Sequence, residues 1–188
     1  MKKVIIVLML LPVLAYAQRD GVSFKKWSTI GSVGLVTGES GSRPVFQLSS
    51  GMNYRQFFTG VGLGYDSYEF NSMPVFADLR YKFGQKISGF FYGMAGYNFP
   101  FMSGKTIENF KTSESRSGGL YLDLGVGCRI PMGKIDRLLI SAGFSQKRMS
   151  QRQTFLYPCF TGNCEEATYN YDYNFGRITA KLSWELGY

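Results

Sequence analysis

Arg177–Tyr188 reads RITAKLSWELGY, and its side chains change character at every residue. Ile178, Ala180, Leu182, Trp184, Leu186 and Tyr188 are apolar or aromatic, while Arg177, Thr179, Lys181, Ser183 and Glu185 between them are polar or charged. A period of two belongs to a β-strand with one apolar and one polar face. Left open to water, such a strand is an aggregation hazard. The stretch therefore predicts a strand whose apolar face is covered by something other than water.

Seven further segments carry the same alternation, at about 27–37, 45–55, 57–66, 74–83, 89–99, 119–130 and 137–146, and the eighth runs over 174–188. Segments of about ten alternating residues, separated by turn formers, are the mark of a membrane-spanning barrel. One parity is almost wholly apolar or aromatic, from Trp27 to Leu35, Phe46 to Tyr54, Phe57 to Tyr65, Val75 to Phe83, Phe91 to Phe99, Leu120 to Ile130, Leu138 to Phe144 and Ile178 to Tyr188. A soluble barrel would bury that set and expose the other. The other parity does not read as a water-facing surface. It mixes Gly60, Gly62, Gly64, Gly125, Gly127, Ser141 and Gly143 with charges of both signs: Asp66, Asp78, Arg80, Lys82, Asp123, Arg129, Arg177, Lys181 and Glu185. Small residues and paired charges fill a narrow closed barrel, and the apolar parity then faces lipid, where closure satisfies every backbone polar group. The expected fold is all-β: an eight-stranded antiparallel up-and-down transmembrane β-barrel.

The connections agree. The two long ones, 100–118 and 147–173, are the fifth and seventh, and odd connections of an even-stranded barrel with periplasmic termini are extracellular. Aromatic residues gather near the strand ends, at Trp27, Tyr54, Phe57, Tyr81, Phe83, Tyr97, Phe99 and Trp184, where interfacial girdles belong. The start of the chain, MKKVIIVLMLLPVLAYAQ, has two lysines, an apolar run too short to span a bilayer as a helix, and the small-x-small pattern Ala15-Tyr16-Ala17. It predicts a signal peptide over 1–17, cleaved after Ala17, ahead of a single barrel domain over 18–188. The net charge of +8 includes the two lysines of that leader, and no basic cluster exceeds a pair, so a nucleic-acid partner is not expected. Basic residues near anionic lipid head groups explain the balance.

The closing stretch, residue by residue at Tyr188, Leu186, Trp184, Leu182 and Ala180, resembles the sorting signal by which the barrel-assembly machinery recognises bacterial outer-membrane barrels. With its GVGLGYD, FYGMAGYNF and GLYLDLGVGCRIPM segments, the chain looks like the small outer-membrane β-barrel proteins of the Bacteroidota, a porin-like or PorT-like group. It is similar in architecture to the eight-stranded OmpX and OmpA barrels. The resemblance implies a Gram-negative outer-membrane location, termini in the periplasm, outer-membrane lipid as surroundings and, from the PorT-like members, service in a protein-secretion assembly.

Chemistry is sparse. The chain has no histidine, whereas the arrangements familiar in outer-membrane barrel enzymes depend on one. Asp123 with Arg129 and Asp78 with Arg80 could be fitted to catalysis, but alternation points them inward as structural ions. Gly60-Val-Gly62-Leu-Gly64 lacks the turn and helix of a phosphate loop and reads as room for bulky neighbours. Cys159 and Cys164 in YPCFTGNCEE make a poor zinc site and, in an exported chain, an expected disulfide ring. Cys128 falls on the lipid-facing parity without a role. The expectation is a non-catalytic barrel with a filled interior and no cofactor or metal. Its external loops, carrying Phe155, Tyr157, Phe160, Tyr169 and Tyr171, offer a binding or adhesion surface; alternatively, strands extend past the membrane and the tyrosines cover each other. Service as a subunit of a larger envelope assembly is the other function class, and a narrow pore a third.

Overall fold

The computed structural model describes residues 27–84, 88–101, 113–133, 135–156 and 166–187. Eight strands follow in order: β1 (Trp27–Gly38), β2 (Gly41–Tyr54), β3 (Phe57–Asp66), β4 (Ser72–Phe83), β5 (Ser88–Pro100), β6 (Ser113–Pro131), β7 (Asp136–Leu156) and β8 (Glu166–Gly187). Each pairs antiparallel with its sequence neighbour, and β1 closes the ring on β8 from Ser28↔Gly187 to Thr37↔Ile178. Both chain ends of the barrel thus share one rim, the terminal end; the opposite rim is the far end.

Turn chemistry fixes the register. Arg55 takes a positive φ of 51° in the two-residue link between Tyr54 and Phe57, and Gly41 takes φ 96° beyond Glu39 and Ser40. A shift of one residue would exchange the two faces of the sheet. The observed register puts Val33, Leu35, Phe46, Leu48, Val61, Leu63, Leu79, Leu124, Val126, Ile178 and Leu182 outside, each with about half or more of its surface exposed. Trp27, Tyr54, Phe57, Tyr81, Phe83, Phe91 and Trp184 ring the terminal end, and Tyr65, Tyr97, Phe99 and Phe101 stand toward the far end. Rings pair within the belts, Phe57 with Tyr81 at 5.0 Å, Phe83 with Phe91 at 5.1 Å and Tyr97 with Phe99 at 4.9 Å.

The inner face holds more than small residues and charges. Phe76, Phe90, Tyr92, Met94, Tyr121 and Leu139 form one buried apolar cluster, and Val36, Val45 and Tyr68 another. Glycines make the room. A Cβ on Gly62 would stand 2.5 Å from the Phe76 ring, and one on Gly127 would stand 2.5 Å from the Phe90 ring.

Two expectations need correction. The connection expected over 38–44 is a two-residue turn, because Gly41 and Ser42 continue the β1–β2 ladder. The long loops expected over 100–118 and 147–173 include strand: β6 begins at Ser113, β7 runs to Leu156 and β8 begins at Glu166, so most of 147–173 and the end of 100–118 belong to the ladder. Strands β1 to β5 are 10 to 14 residues long, and β6, β7 and β8 are 19, 21 and 22. Nine to eleven tilted residues suffice to cross a bilayer, so the last three strands project from the far end as a ribbon. The physical reason for the misreading is that the projecting part lacks the apolar outward face used to recognise the other strands.

Candidate functional site

The barrel interior is organised in three tiers of charge. At the terminal end, Glu185 of β8 accepts a two-pronged bond from Arg129 of β6, at 2.7 and 3.0 Å, and a bond from Lys82 of β4 at 3.3 Å. Arg137 lies 4.0 Å away, and Lys82 also donates to the side-chain oxygen of Asn53. Alternation along β4, β6 and β8 aims these groups at one point, so a buried carboxylate draws three cations.

In the middle tier Asp123 accepts from Lys181 at 2.7 Å and from the hydroxyls of Tyr92 and Tyr121 at 3.0 and 3.2 Å. Gln47 links the tyrosine and the lysine, donating to Tyr121 at 2.7 Å and accepting from Lys181 at 3.3 Å. Asp78 holds Arg80, two residues along its own strand, at 2.8 Å and accepts from Ser49 at 2.8 Å. The Arg80 guanidinium lies 5.8 Å from the ring centres of both Phe58 and Phe90. Asp123 and Arg129, six residues apart on β6, each pair with β8 and not with one another. The void beside Arg80, Tyr92, Met94 and Lys181 has no room for a water molecule.

The third tier closes the far end. Asp66 binds Arg177 at 2.5 Å and lies 3.6 Å from Lys147. Lys147 also donates to the backbone oxygens of Tyr68 and Phe70, at 3.0 and 2.9 Å. The short β3–β4 connection is thereby pulled over the barrel mouth, with the Tyr68 amide donating to Asp66 at 2.9 Å and the Arg177 guanidinium 5.3 Å from the Tyr68 ring centre. Lys147 is the functional residue that sequence reasoning missed. The alternation ends its strand at 146 and puts it in the connection, yet it is fully buried; the signal is its parity, two residues beyond Ser145 on the inward face of β7.

All nine charged residues expected in the interior face inward, seven of them buried and Lys82 and Arg129 half-buried at the rim. Tyr169 and Tyr171 lie in β8 instead of a loop and are exposed at its far end, and Phe155 lies in β7. Tyr171, Tyr173 and Phe175 stack along the strand, the first pair at 6.5 Å and the second at 5.7 Å, and Phe70 packs against Tyr173 at 5.4 Å. Tyr171 and Tyr173 thus pack against each other, while Tyr169 and Tyr171 each keep more than two-fifths of their surface exposed. Leu186, Trp184, Leu182 and Ala180 form the outward face of β8, while Tyr188, the expected leader over 1–17, Tyr157, Phe160, Cys159 and Cys164 lie outside the described residues. Cys128 is an exposed free thiol on the outward face of β6. Among the described residues, no group of three or more histidine, cysteine or carboxylate side chains stands together to hold a metal ion.

Eight strands close into one ring with an apolar exterior and a filled interior. Known structures of outer-membrane proteins share that ring. The N-terminal β-barrel domain of OprF from Pseudomonas aeruginosa matches with a TM-score of 0.55 at 9% identity, covering 87% of this chain and 98% of that one. OprG from the same organism gives 0.56 at 8%, covering 87% and 96%. Neisserial surface protein A gives 0.53 at 13%, covering 89% and 99%. The fold is an outer-membrane-type β-barrel. No family model matches the chain, and no curated protein matches it in sequence.

Proposed function

We propose that this chain is a non-catalytic integral barrel of a bacterial outer membrane, plugged along its axis, whose β6–β8 ribbon stands clear of the lipid as a contact surface. The observation that carries the reading is the separation of faces. The outside between the aromatic belts is apolar, and the inside is a closed lattice of ion pairs with a connection tied across one mouth. An eight-stranded ring has an interior just wide enough for side chains, which argues against a diffusion pore. The test is paired: the chain over 18–188, refolded in detergent, is expected to migrate differently on gels before and after boiling, and to give no steady conductance in a planar bilayer. Identical mobility would refute the barrel, and stable channel currents would refute the plug.

The remaining assignments belong to the same reading. Export uses residues 1–17 as a leader; the outward row Ala180, Leu182, Trp184, Leu186 and Tyr188 serves the barrel-assembly machinery; both termini then stand in the periplasm and the ribbon outside the cell. Tyr188→Asp should accumulate in the periplasm, and normal outer-membrane levels would count against the sorting role. A Cys159–Cys164 disulfide would tie the ribbon's tip without holding the barrel. Changing both to serine should raise protease cleavage between Leu156 and Glu166 and leave the gel shift intact, whereas two free thiols in protein from cells would remove the disulfide.

A second reading, as a subunit of a larger envelope or PorT-like secretion assembly, has one observation in its favour. From Glu166 to Arg177, β8 has a described ladder partner only in β7, and an unpaired strand edge can accept a partner's strand. That edge has neither a proline nor a lysine to guard it. Co-purification from mild detergent, lost on Asn170→Pro, would support the subunit reading; an unaccompanied barrel in native extracts would refute it.

A further inference from the structure

The outward face changes chemistry abruptly on β7 and β8. Phe144 and Ile178 are the last outward apolar pair, and beyond Gln146 and Gly176 the outward pairs are Arg148 with Asn174, Ser150 with Asp172, Arg152 with Asn170 and Thr154 with Thr168. At the same level β6 carries an irregularity, its register against β7 slipping between Gly118 and Tyr121. The two glycines there contribute no side chain. A depression of about 380 Å³ results, lined by Gly118, Gly119, Arg148, Ser150, Asp172 and Asn174 among others. It exists because Gly119 is a glycine: a Cβ at that position would stand 2.7 Å from the Arg148 backbone oxygen and 3.0 Å from its Cβ.

The depression is rich in uncommitted donors. Gln146 donates to the Asn174 side-chain oxygen at 2.9 Å, and the Asn174 amide nitrogen has no hydrogen-bond partner among the described residues. Arg152, farther out, is engaged with Asn170 at 3.0 Å. The exposed guanidinium of Arg148 has no hydrogen bond or ion pair among the described residues, and the Ser150 hydroxyl beside it has none either. A planar five-donor cation with neighbouring neutral donors suits a phosphate, which it can bind with two parallel bonds. Asp172, one residue pair beyond Arg148, disfavours a second anion and confines the charge to the lower half of the depression. Immediately below lie Phe144 and Ile178, the latter 66% exposed.

We propose that this depression holds the phosphate of a lipid head group, with Arg148 as the principal donor, Ser150 and Asn174 beside it, and the acyl chains lying along Phe144 and Ile178. The proposal rests on the membrane reading above. The continuity of the polar depression with the apolar face favours a lipid over free phosphate, because a free ion would gain nothing from the lower half of the site.

The test uses the refolded barrel in detergent, checked first for its heat-dependent gel shift, and three probes: dioctanoyl phosphatidic acid, dioctanoylglycerol and inorganic phosphate. Native mass spectrometry is expected to show one phosphatidic acid retained per chain, roughly tenfold more tightly than either other probe. Arg148→Ala should lose roughly tenfold in that affinity and Arg148→Lys less, since an ammonium keeps the charge without the fork. Arg152→Ala should bind as the parent does. Unchanged binding by Arg148→Ala, equal retention of the uncharged lipid, or equal affinity for inorganic phosphate would each overturn the proposal. A missing gel shift would instead strike the barrel itself, so the two failures are distinguishable.

Discussion

Gly127 and Gly31 are both strand glycines, and their surroundings differ completely. At Gly127 a Cβ would meet the Phe90 ring and the Ile140 backbone oxygen at 2.5 Å, whereas at Gly31 nothing lies within 4 Å. Overpacking a filled interior forces side chains off their rotamers and shifts the backbone. Gly127→Val should therefore reduce the yield of the unboiled barrel band sharply, and Gly31→Ala should leave it unchanged; equal yields would show that the interior is not tightly filled. The charges make a second demand of the same kind. Removing one partner of a buried ion pair leaves an uncompensated charge, at a cost of about 3 to 5 kcal/mol. Asp66→Asn strands both Arg177 and Lys147, so urea unfolding from lipid vesicles should show a loss in that range. Adding Lys147→Met should recover part of it. A loss under about 1 kcal/mol would mean that water reaches the cluster.

At the scale of the strand, the same face of β8 passes through two environments. Leu182 points outward in the apolar zone and Asn170 points outward on the ribbon. An arginine facing lipid near the membrane midplane costs about 2 to 4 kcal/mol, while a surface substitution in water is usually within about 0.5 kcal/mol of neutral. Leu182→Arg should thus destabilise the folded barrel in vesicles by the larger amount and Asn170→Arg by the smaller, and similar losses would misplace the membrane boundary. This difference also explains what could be read from the sequence. Between the belts, lipid on one side and a packed lumen on the other enforce the alternation that identified Ile178 to Leu186. Past Gly176 water lies on the outside, the constraint disappears, and Thr168, Asn170 and Asp172 read as loop although the strand continues. The interior carboxylates were legible from parity alone, but Lys147 was hidden by its position beyond the last outward apolar residue of its strand. The pairing of Asp66 with Arg177, 111 residues away, depends on ring closure and has no local signal. The depression beside Gly119 was equally illegible, since it arises from a register slip in the β6–β7 ladder that no local residue pattern marks.

For the whole molecule the central claim is that the ring is turned inside out relative to a soluble barrel, with lipid against one face and ions packed against the other. Closure removes every strand edge within the membrane, so the hydrocarbon meets no unpaired backbone, and the ribbon's edge, which has no partner among the described residues, stands where water can satisfy it. The most direct test is a nitroxide scan along β8 in lipid vesicles, reading relaxation by oxygen, which partitions into the bilayer, against relaxation by a water-soluble nickel complex. Labels at positions 178, 180, 182, 184 and 186 should respond chiefly to oxygen, with a period of two. Those at 168, 170, 172 and 174 should respond chiefly to nickel. Nickel access at Leu182 and its outward neighbours equal to that at Asn170, with no alternation, would contradict the account.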